Sequence, residues 1–295
     1  MTTAPTVVAP VLPPGELQQV TDGELKKFAE LIYERTGIRV SPQKKTLLSN
    51  RLRRRLRVTG IKTFGEYFRH LKGLRSRDPE WDGFLQEITT HETYLFRDEA
   101  QWKWFRDEYL SEISNLARAG KMQRKLRVWS AACSTGDEAF TVATCIAAAL
   151  TSYSQWNITI LGTDIGTGAV EQAQTALFGE RAMRLVRPED RRRFFTKAKD
   201  ADLWQARPAL TDMTRFRQHN LLEPLREPPF DLVILKNVLI YFDPASKKTV
   251  MNNIRAMVRP GGLMIAGAAE GVADMLRDFD RLHPWLYRKP ATSRS

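Results

Sequence analysis

Between Val128 and Glu138 the chain reads Val-Trp-Ser-Ala-Ala-Cys-Ser-Thr-Gly-Asp-Glu. The largely apolar run from Lys125 to Ala132 favours a β-strand, and Cys133-Ser134-Thr135-Gly136 breaks it. Ala139, Phe140, Val142, Ala143, Ile146, Ala147 and Leu150 then follow with helical spacing. Strand, tight turn and helix in that order open a doubly wound α/β domain. The turn exposes backbone N–H groups at the carboxyl edge of a parallel sheet, where nucleotide-like ligands bind. Asp137 and Glu138 narrow the chemistry, because two carboxylates repel a diphosphate and attract ribose hydroxyls or a cation. The turn therefore suits S-adenosylmethionine, which has a ribose, an amino group and a sulfonium. Taken alone, a glycine in a strand–helix turn is common to many α/β proteins.

A further acid falls where a nucleoside ribose is usually held. The strand Ile158 to Leu161 ends at Gly162-Thr163-Asp164-Ile165, placing Asp164 at its tip. A plain helix cap is the competing reading of Asp164. Nucleophilic chemistry finds little support. Cys133 sits in the turn with no histidine near it in sequence and reads as a packing residue, and Cys145 lies in an apolar helical stretch. His70, His91, His219 and His283 show no metal-ligand spacing, so no metal is expected.

The elements around these residues divide the 295-residue chain. Residues 1–19, rich in proline and small side chains, read as a disordered tail. Residues 20–90 read as a helical domain. Thr21-Asp22-Gly23-Glu24 is a capping box, Gly37 a helix stop, and Ser41-Pro42 the opening of a second helix with Leu47, Leu48, Leu52 and Leu56 inside. Arg51, Arg53, Arg54, Arg55 and Arg57 cover the rest of that helix with no acid among them. Like charges at helical spacing destabilise a helix, so a docking surface for an acidic partner is expected. Two further helices run from Phe64 to Leu74 and from Glu80 to Ile88. Residues 91–124 form a polar junction and an aromatic helix. Residues 125–290 form the α/β domain, with a small β insertion at about 196–218 in which Trp204–Leu210 and Thr214–Gln218 are strands. The formal charge of +12 also calls for an acidic partner. The N-terminus lacks a signal-peptide pattern and no apolar run is long enough to span a bilayer, so a cytoplasmic protein without membrane insertion is expected; a monomer is expected as well.

Four motifs, in order and suitably spaced, carry a resemblance: Ser130 to Glu138, Phe216-Arg-Gln-His-Asn-Leu-Leu222, Asn237-Val-Leu-Ile-Tyr-Phe-Asp243 and Pro260-Gly-Gly262. From about residue 20 onward the chain resembles the CheR-type chemotaxis methyltransferases. The resemblance implies a Rossmann-like domain with an N-terminal helical domain and a β insertion. It implies a protein-glutamate O-methyltransferase that uses S-adenosyl-L-methionine and releases S-adenosyl-L-homocysteine. Its substrate would be the cytoplasmic methylation helices of chemoreceptors, met by the basic helix. By position, cofactor contacts fall on His91, Thr93, Arg97, Glu138, Asp164, Asn220, Leu221, Lys236 and Asn237. Arg97 and Tyr241 fall near the transferred methyl.

The chain departs from the family pattern in three places. His91 stands where an asparagine is usual, Lys236 where an arginine is usual, and Gly267-Ala268-Ala269-Glu270 where Gly-His-Ser-Glu is usual. Some family members bind a receptor pentapeptide through a glycine-rich loop in the insertion. Between Phe195 and Phe216 there is no glycine, so no pentapeptide tether is expected. Two alternatives remain. A nucleic-acid methyltransferase would account for the charge, but Asn237-Val238-Leu239-Ile240 stands where a base-methylating enzyme has Asn-Pro-Pro-Tyr, and no nucleic acid is expected. A non-catalytic S-adenosylmethionine-binding scaffold would account for His91 and Lys236.

Overall fold

The computed structural model describes residues 19–75, 78–199, 202–267 and 269–291, and the tail expected at residues 1–19 lies almost wholly outside them. The chain forms two compact units, divided between Thr90 and His91.

The first unit holds α1 (Asp22–Thr36), α2 (Lys45–Thr59, preceded by a 3₁₀ turn at Pro42–Lys44), α3 (Phe64–Gly73) and α4 (Pro79–Ile88). Thr21 and Glu24 close a reciprocal capping box at α1, and Thr63 and Glu66 do the same at α3. Gly37 ends α1 in the left-handed region. Phe28, Leu52, Tyr67, Leu71 and Phe84 form the interior. The α2 stripe buries Leu48, Leu52 and Leu56, whereas Leu47, expected inside, is 45% exposed. Leu47 falls one position off the i, i+4, i+8 row that faces α4.

The expectation that α2 carries uncompensated arginines is corrected by the partners it finds elsewhere. Arg55 pairs with Glu80 of α4 at 2.5 Å, and both side chains are largely buried. Tyr67 Oη donates to the same carboxylate at 2.5 Å. Arg54 pairs with Glu87 at 2.5 Å. Arg51 donates to the Ile88 carbonyl and to Thr90 Oγ1, Arg53 donates to Asn50 Oδ1, and Lys45 reaches Asp22 at 2.7 Å. The compensating acids lie 20 to 40 residues away in sequence, beyond the reach of local spacing.

The second unit begins with α5 (Glu99–Trp104), a π turn at Phe105–Tyr109 and α6 (Leu110–Arg118). Then come β1 (Lys125–Ala131), α7 (Asp137–Ala149), β2 (Asn157–Asp164), α8 (Thr167–Thr175), β3 (Leu177–Gly179), α9 (Glu180–Met183), α10 (Pro188–Phe194), β4 (Phe195–Lys197), β5 (Leu203–Ala206) and α11 (Pro208–Thr211). The chain ends with β6 (Thr214–Gln218), β7 (Phe230–Leu235), α12 (Pro244–Met257), β8 (Val258–Ala266), β9 (Asp280–His283) and β10 (Leu286–Arg288). The main sheet runs β6-β2-β1-β7-β8-β10-β9, and a separate antiparallel sheet runs β3-β5-β4.

Strands β6, β2, β1, β7 and β8 pair in parallel, and β10 returns antiparallel to β8. The order reverses at β1, which lies between β2 and β7, so the loops after these strands open a crevice at one edge. One core layer packs α7 and the aromatic helix against the sheet, with Phe105, Phe140 and Ile146 at its centre. The opposite layer packs Val250 and Ile254 of α12 against Phe230 and Val233.

Two sequence expectations change. Thr214–Gln218 belongs to the main sheet, in parallel register with β2 from Ile160 opposite Thr214 to Asp164 opposite Gln218. The insertion sheet instead takes Leu177–Gly179 and Phe195–Lys197 as partners of Leu203–Ala206, and Pro208 opens a helix. Alternating polar and apolar residues mark an edge strand in either sheet, and only pairing tells them apart. Of the residues expected in a loop, Lys197 ends β4 and pairs with Trp204, Ala198 and Lys199 follow it, and Asp200 lies outside the described residues.

Candidate active site

The turn after β1 is shaped by left-handed backbone at Ala132, Ser134 and Gly136. Gly136 has φ +88, and a Cβ there would stand 2.9 Å from Ala173 Cβ, so only glycine fits between turn and α8. Phe96, Asp98 and Asn237 are also left-handed, in the loops that meet this turn. Such conformations cost about 1–3 kcal/mol each and gather where surrounding structure enforces them for a purpose.

Asp164 holds the turn. Its Oδ2 accepts the Ser134 N–H at 2.9 Å and its Oδ1 accepts the Gly166 N–H at 3.0 Å. The carboxylate is buried, yet each oxygen keeps a second lone pair for a ligand hydroxyl. His91 Nδ1 lies 3.9 Å from Oδ1. The His91 carbonyl accepts from Ser134 Oγ at 3.1 Å, which ties the loop of residues 91–98 to the turn. The His219 N–H donates to the Asp164 carbonyl at 2.8 Å, which brings Asn220 and Leu221 to the same tip. Asn220 Oδ1 accepts from the Leu222 N–H, and Leu221 is buried.

Lys236, at the end of β7, reaches across the edge. Its side chain is 3% exposed. Its Nζ lies 3.2 Å from Asp98 Oδ2, 3.4 Å from Glu138 Oε2 and 3.4 Å from the Arg97 carbonyl, and stands over the Trp102 ring. Ser130 Oγ donates to the other Glu138 oxygen at 2.7 Å. Arg97 donates to the Glu92 carbonyl at 3.3 Å and faces the Tyr94 ring. Thr93 lies in the same loop, and Tyr241 ends the 3₁₀ turn Leu239–Tyr241 that follows Asn237.

Of the residues expected from sequence, direct contacts join His91, Asp164 and the 219–221 segment in one group and Arg97, Glu138 and Lys236 in another, with Thr93, Asn237 and Tyr241 in the same loops. Sequence reasoning missed Ser130, Asp98 and Ser134 as supports. Ser130, a polar residue ending an apolar strand eight positions before Glu138, was the available signal.

The donor set fits a nucleoside sulfonium. Buried acceptors converge on the edge, and Thr167 Oγ1, three residues past Asp164, is a buried donor with no partner among the described residues. Asp137 is buried, with its pKa raised by burial against the Thr135 hydroxyl that donates to it at 2.6 Å. Burial pushes the Cys133 thiol well above its usual range, with Asp164 and Glu138 adding to the effect, so it is no nucleophile.

A family model described as "CheR methyltransferase, SAM binding domain" matches residues 91–284, and one described as "CheR methyltransferase, all-alpha domain" matches residues 23–89. The chain belongs to the CheR methyltransferase family. It is an S-adenosylmethionine-dependent methyltransferase with an N-terminal all-α domain and a Rossmann-like catalytic domain. The chemotaxis protein methyltransferase of Salmonella typhimurium is 30% identical over 265 residues, covering 88% of each chain. Chemotaxis protein methyltransferase 2 of Pseudomonas aeruginosa is 32% identical, covering 85% of this chain and 87% of its own. The Escherichia coli chemotaxis protein methyltransferase is 29% identical over 265 residues. Among the described residues no helix is long and apolar enough to cross a membrane.

Proposed function

We propose that this CheR-family enzyme esterifies glutamate side chains on the methylation helices of chemoreceptors, releasing S-adenosylhomocysteine. The names of the relatives supply methyl transfer in chemotaxis, and the family resemblance supplies the receptor glutamate. The observation that supports the site assignment is a pair of contact clusters, His91–Ser134–Asp164 and Ser130–Glu138–Lys236–Asp98, which share the loop of residues 91–98 at the ends of β1, β2 and β7. In this reading S-adenosylmethionine supplies an electrophilic methyl on a sulfonium.

The protein's task is then positioning. Asp164 and Thr167 meet the ribose hydroxyls, and Glu138 meets the amino group. His91, Thr93, Asn220, Leu221, Lys236 and Asn237 complete the cradle. Arg97 holds the incoming carboxylate, and Tyr241 lines the methyl path. A glutamate with a reference pKa of about 4.3 is already anionic at neutral pH, so no general base is required. Alignment of the reacting atoms and exclusion of water remain as the means of acceleration.

The receptor-facing surface is assigned to the outer face of α2. Leu47, Arg54 and Val58 align there at i, i+7 and i+11, with Leu47 and Val58 exposed, and Arg57 projects nearby. Arg51, Arg53 and Arg57 extend the basic surface, whereas Arg55 serves the interior of the domain. An acidic helix fits this combination of charge and apolar area. Incubating the enzyme with labelled S-adenosylmethionine and a receptor cytoplasmic fragment tests the proposal. Label released as methanol by mild base supports it, and base-stable label or none overturns it.

A further inference from the structure

Glu270 is fully buried, yet no role has been given to it. Its carboxylate lies beneath the loop that leaves β7. Oε1 accepts the Val238 N–H at 3.2 Å and Oε2 accepts the Leu239 N–H at 2.6 Å. The Asn237 N–H lies beside it and favours the anion. Two successive backbone donors on one carboxylate form an anion-binding nest, with Asn237 at φ +60 and Val238 at φ −120 supplying the curvature. The residues so gripped follow Asn237 and lead directly into the turn that ends at Tyr241.

The surroundings keep this carboxylate in place. Gly267, on the strand-end loop after β8, donates its N–H to the Leu235 carbonyl at 3.0 Å. A Cβ at Gly267 would stand 2.9 Å from Glu270 Oε1 and 3.3 Å from the Asn237 nitrogen. Glycine there lets the two loops close on each other. Lys247 Nζ donates to the Glu270 carbonyl at 3.0 Å and is the nearby cation. Burial alone would favour the neutral acid, and its pKa is raised on that account, but a neutral acid would present a proton toward the backbone N–H donors. The nest therefore has use only for the anion.

The geometry points to Glu270 as a positioning residue that fixes the Asn237–Tyr241 segment against the end of β8. Its service to methyl transfer rests on the roles proposed above for Asn237 and Tyr241. An amide in its place accepts through one oxygen only and turns an NH₂ toward backbone donors. Loss of the anchor should displace the segment without emptying the rest of the site, and displacement by a fraction of an ångström is costly to a reaction that depends on alignment.

The full-length enzyme is used for the test. In the wild type, the Val238 and Leu239 amides should exchange slowly with solvent despite lying in a loop, and free exchange would overturn the anchor. Glu270→Gln should lower kcat at saturating S-adenosylmethionine by about tenfold or more while KM for the receptor fragment stays within about twofold. Gly267→Ala should do the same, and Glu270→Asp should recover part of the loss. A folded Glu270→Gln with wild-type kcat would overturn the proposal. Should Glu270→Gln fail to fold, the wild-type amide exchange and Gly267→Ala decide it. If the wild type transfers no methyl group, the catalytic reading has failed, and the amide measurement still decides the anchor by itself.

Discussion

Lys236 Nζ lies 3.4 Å from Glu138 Oε2, and the lysine is more deeply buried than the glutamate. The pair links the end of β7 to the first turn of α7, with Asp98 as a third member on the loop of residues 91–98. Lysine in place of the family's usual arginine thus serves as a tie between three loops. Removing one member of a buried pair leaves the other charge without compensation. Lys236→Met should destabilise the catalytic unit by about 3 kcal/mol and weaken cofactor binding, because Glu138 loses one of its two holds. Lys236→Arg should retain binding. Denaturant unfolding and calorimetry measure both effects, and an unchanged stability for Lys236→Met would contradict the tie.

Asp164→Ala should weaken S-adenosylmethionine binding by about 1–3 kcal/mol, the scale of a charge-assisted hydrogen bond. The variant also frees the Ser134 and Gly166 N–H groups, so thermal stability should be measured alongside. Unchanged affinity in a folded variant would remove Asp164 from the site.

The arginines of α2 separate into two classes. Arg55→Ala should cost about 3 kcal/mol of stability, since it strands Glu80 and the Tyr67 hydroxyl in a largely buried position. Arg53→Glu with Arg57→Glu should leave stability and cofactor affinity near wild type and abolish receptor methylation. Methylation at the wild-type rate in that double variant would make the face a solvated surface only.

The N-terminal helical domain and its caps were legible, because capping boxes and leucine spacing are local signals. So were β1, the turn, β7 and the position of Asp164. What sequence could not show was pairing. Thr214–Gln218 has the alternation of an edge strand in either sheet, and its parallel partner β2 lies about fifty residues earlier. The same limit hid the acids that neutralise Arg54 and Arg55, and the acids that surround Lys236. Glu138 and Asp164 were legible as chemistry, while Ser130, Ser134 and Asp98 were not, since their meaning depends on which loops meet.

Asp137 offers a test of burial in the turn. Its folded pKa is raised by burial above its ordinary value of 3.8, so the folded state binds a proton more tightly than the unfolded chain. The associated stability is fully present below 3.8 and is lost as pH rises through the raised folded value. Asp137→Asn, which keeps an acceptor for Thr135, should become more stable relative to wild type across that interval. A difference in melting temperature that does not vary with pH would contradict this.

His91→Asn should retain methyl transfer, because an amide can replace the ring beside Asp164. Calorimetry and a methylation assay of both proteins measure it, and loss of transfer in a folded His91→Asn would show that the ring itself is required.

The most direct measurement is peptide mapping by mass spectrometry after the enzyme has acted on a receptor cytoplasmic fragment with S-adenosylmethionine bearing a deuterated methyl group. The account predicts the heavy methyl on glutamate side chains of the fragment, lost on mild base treatment and reduced when Asp164→Ala replaces the wild type at limiting cofactor. A heavy methyl on lysine, on nucleic acid carried with the protein, or on no macromolecule at all would contradict it.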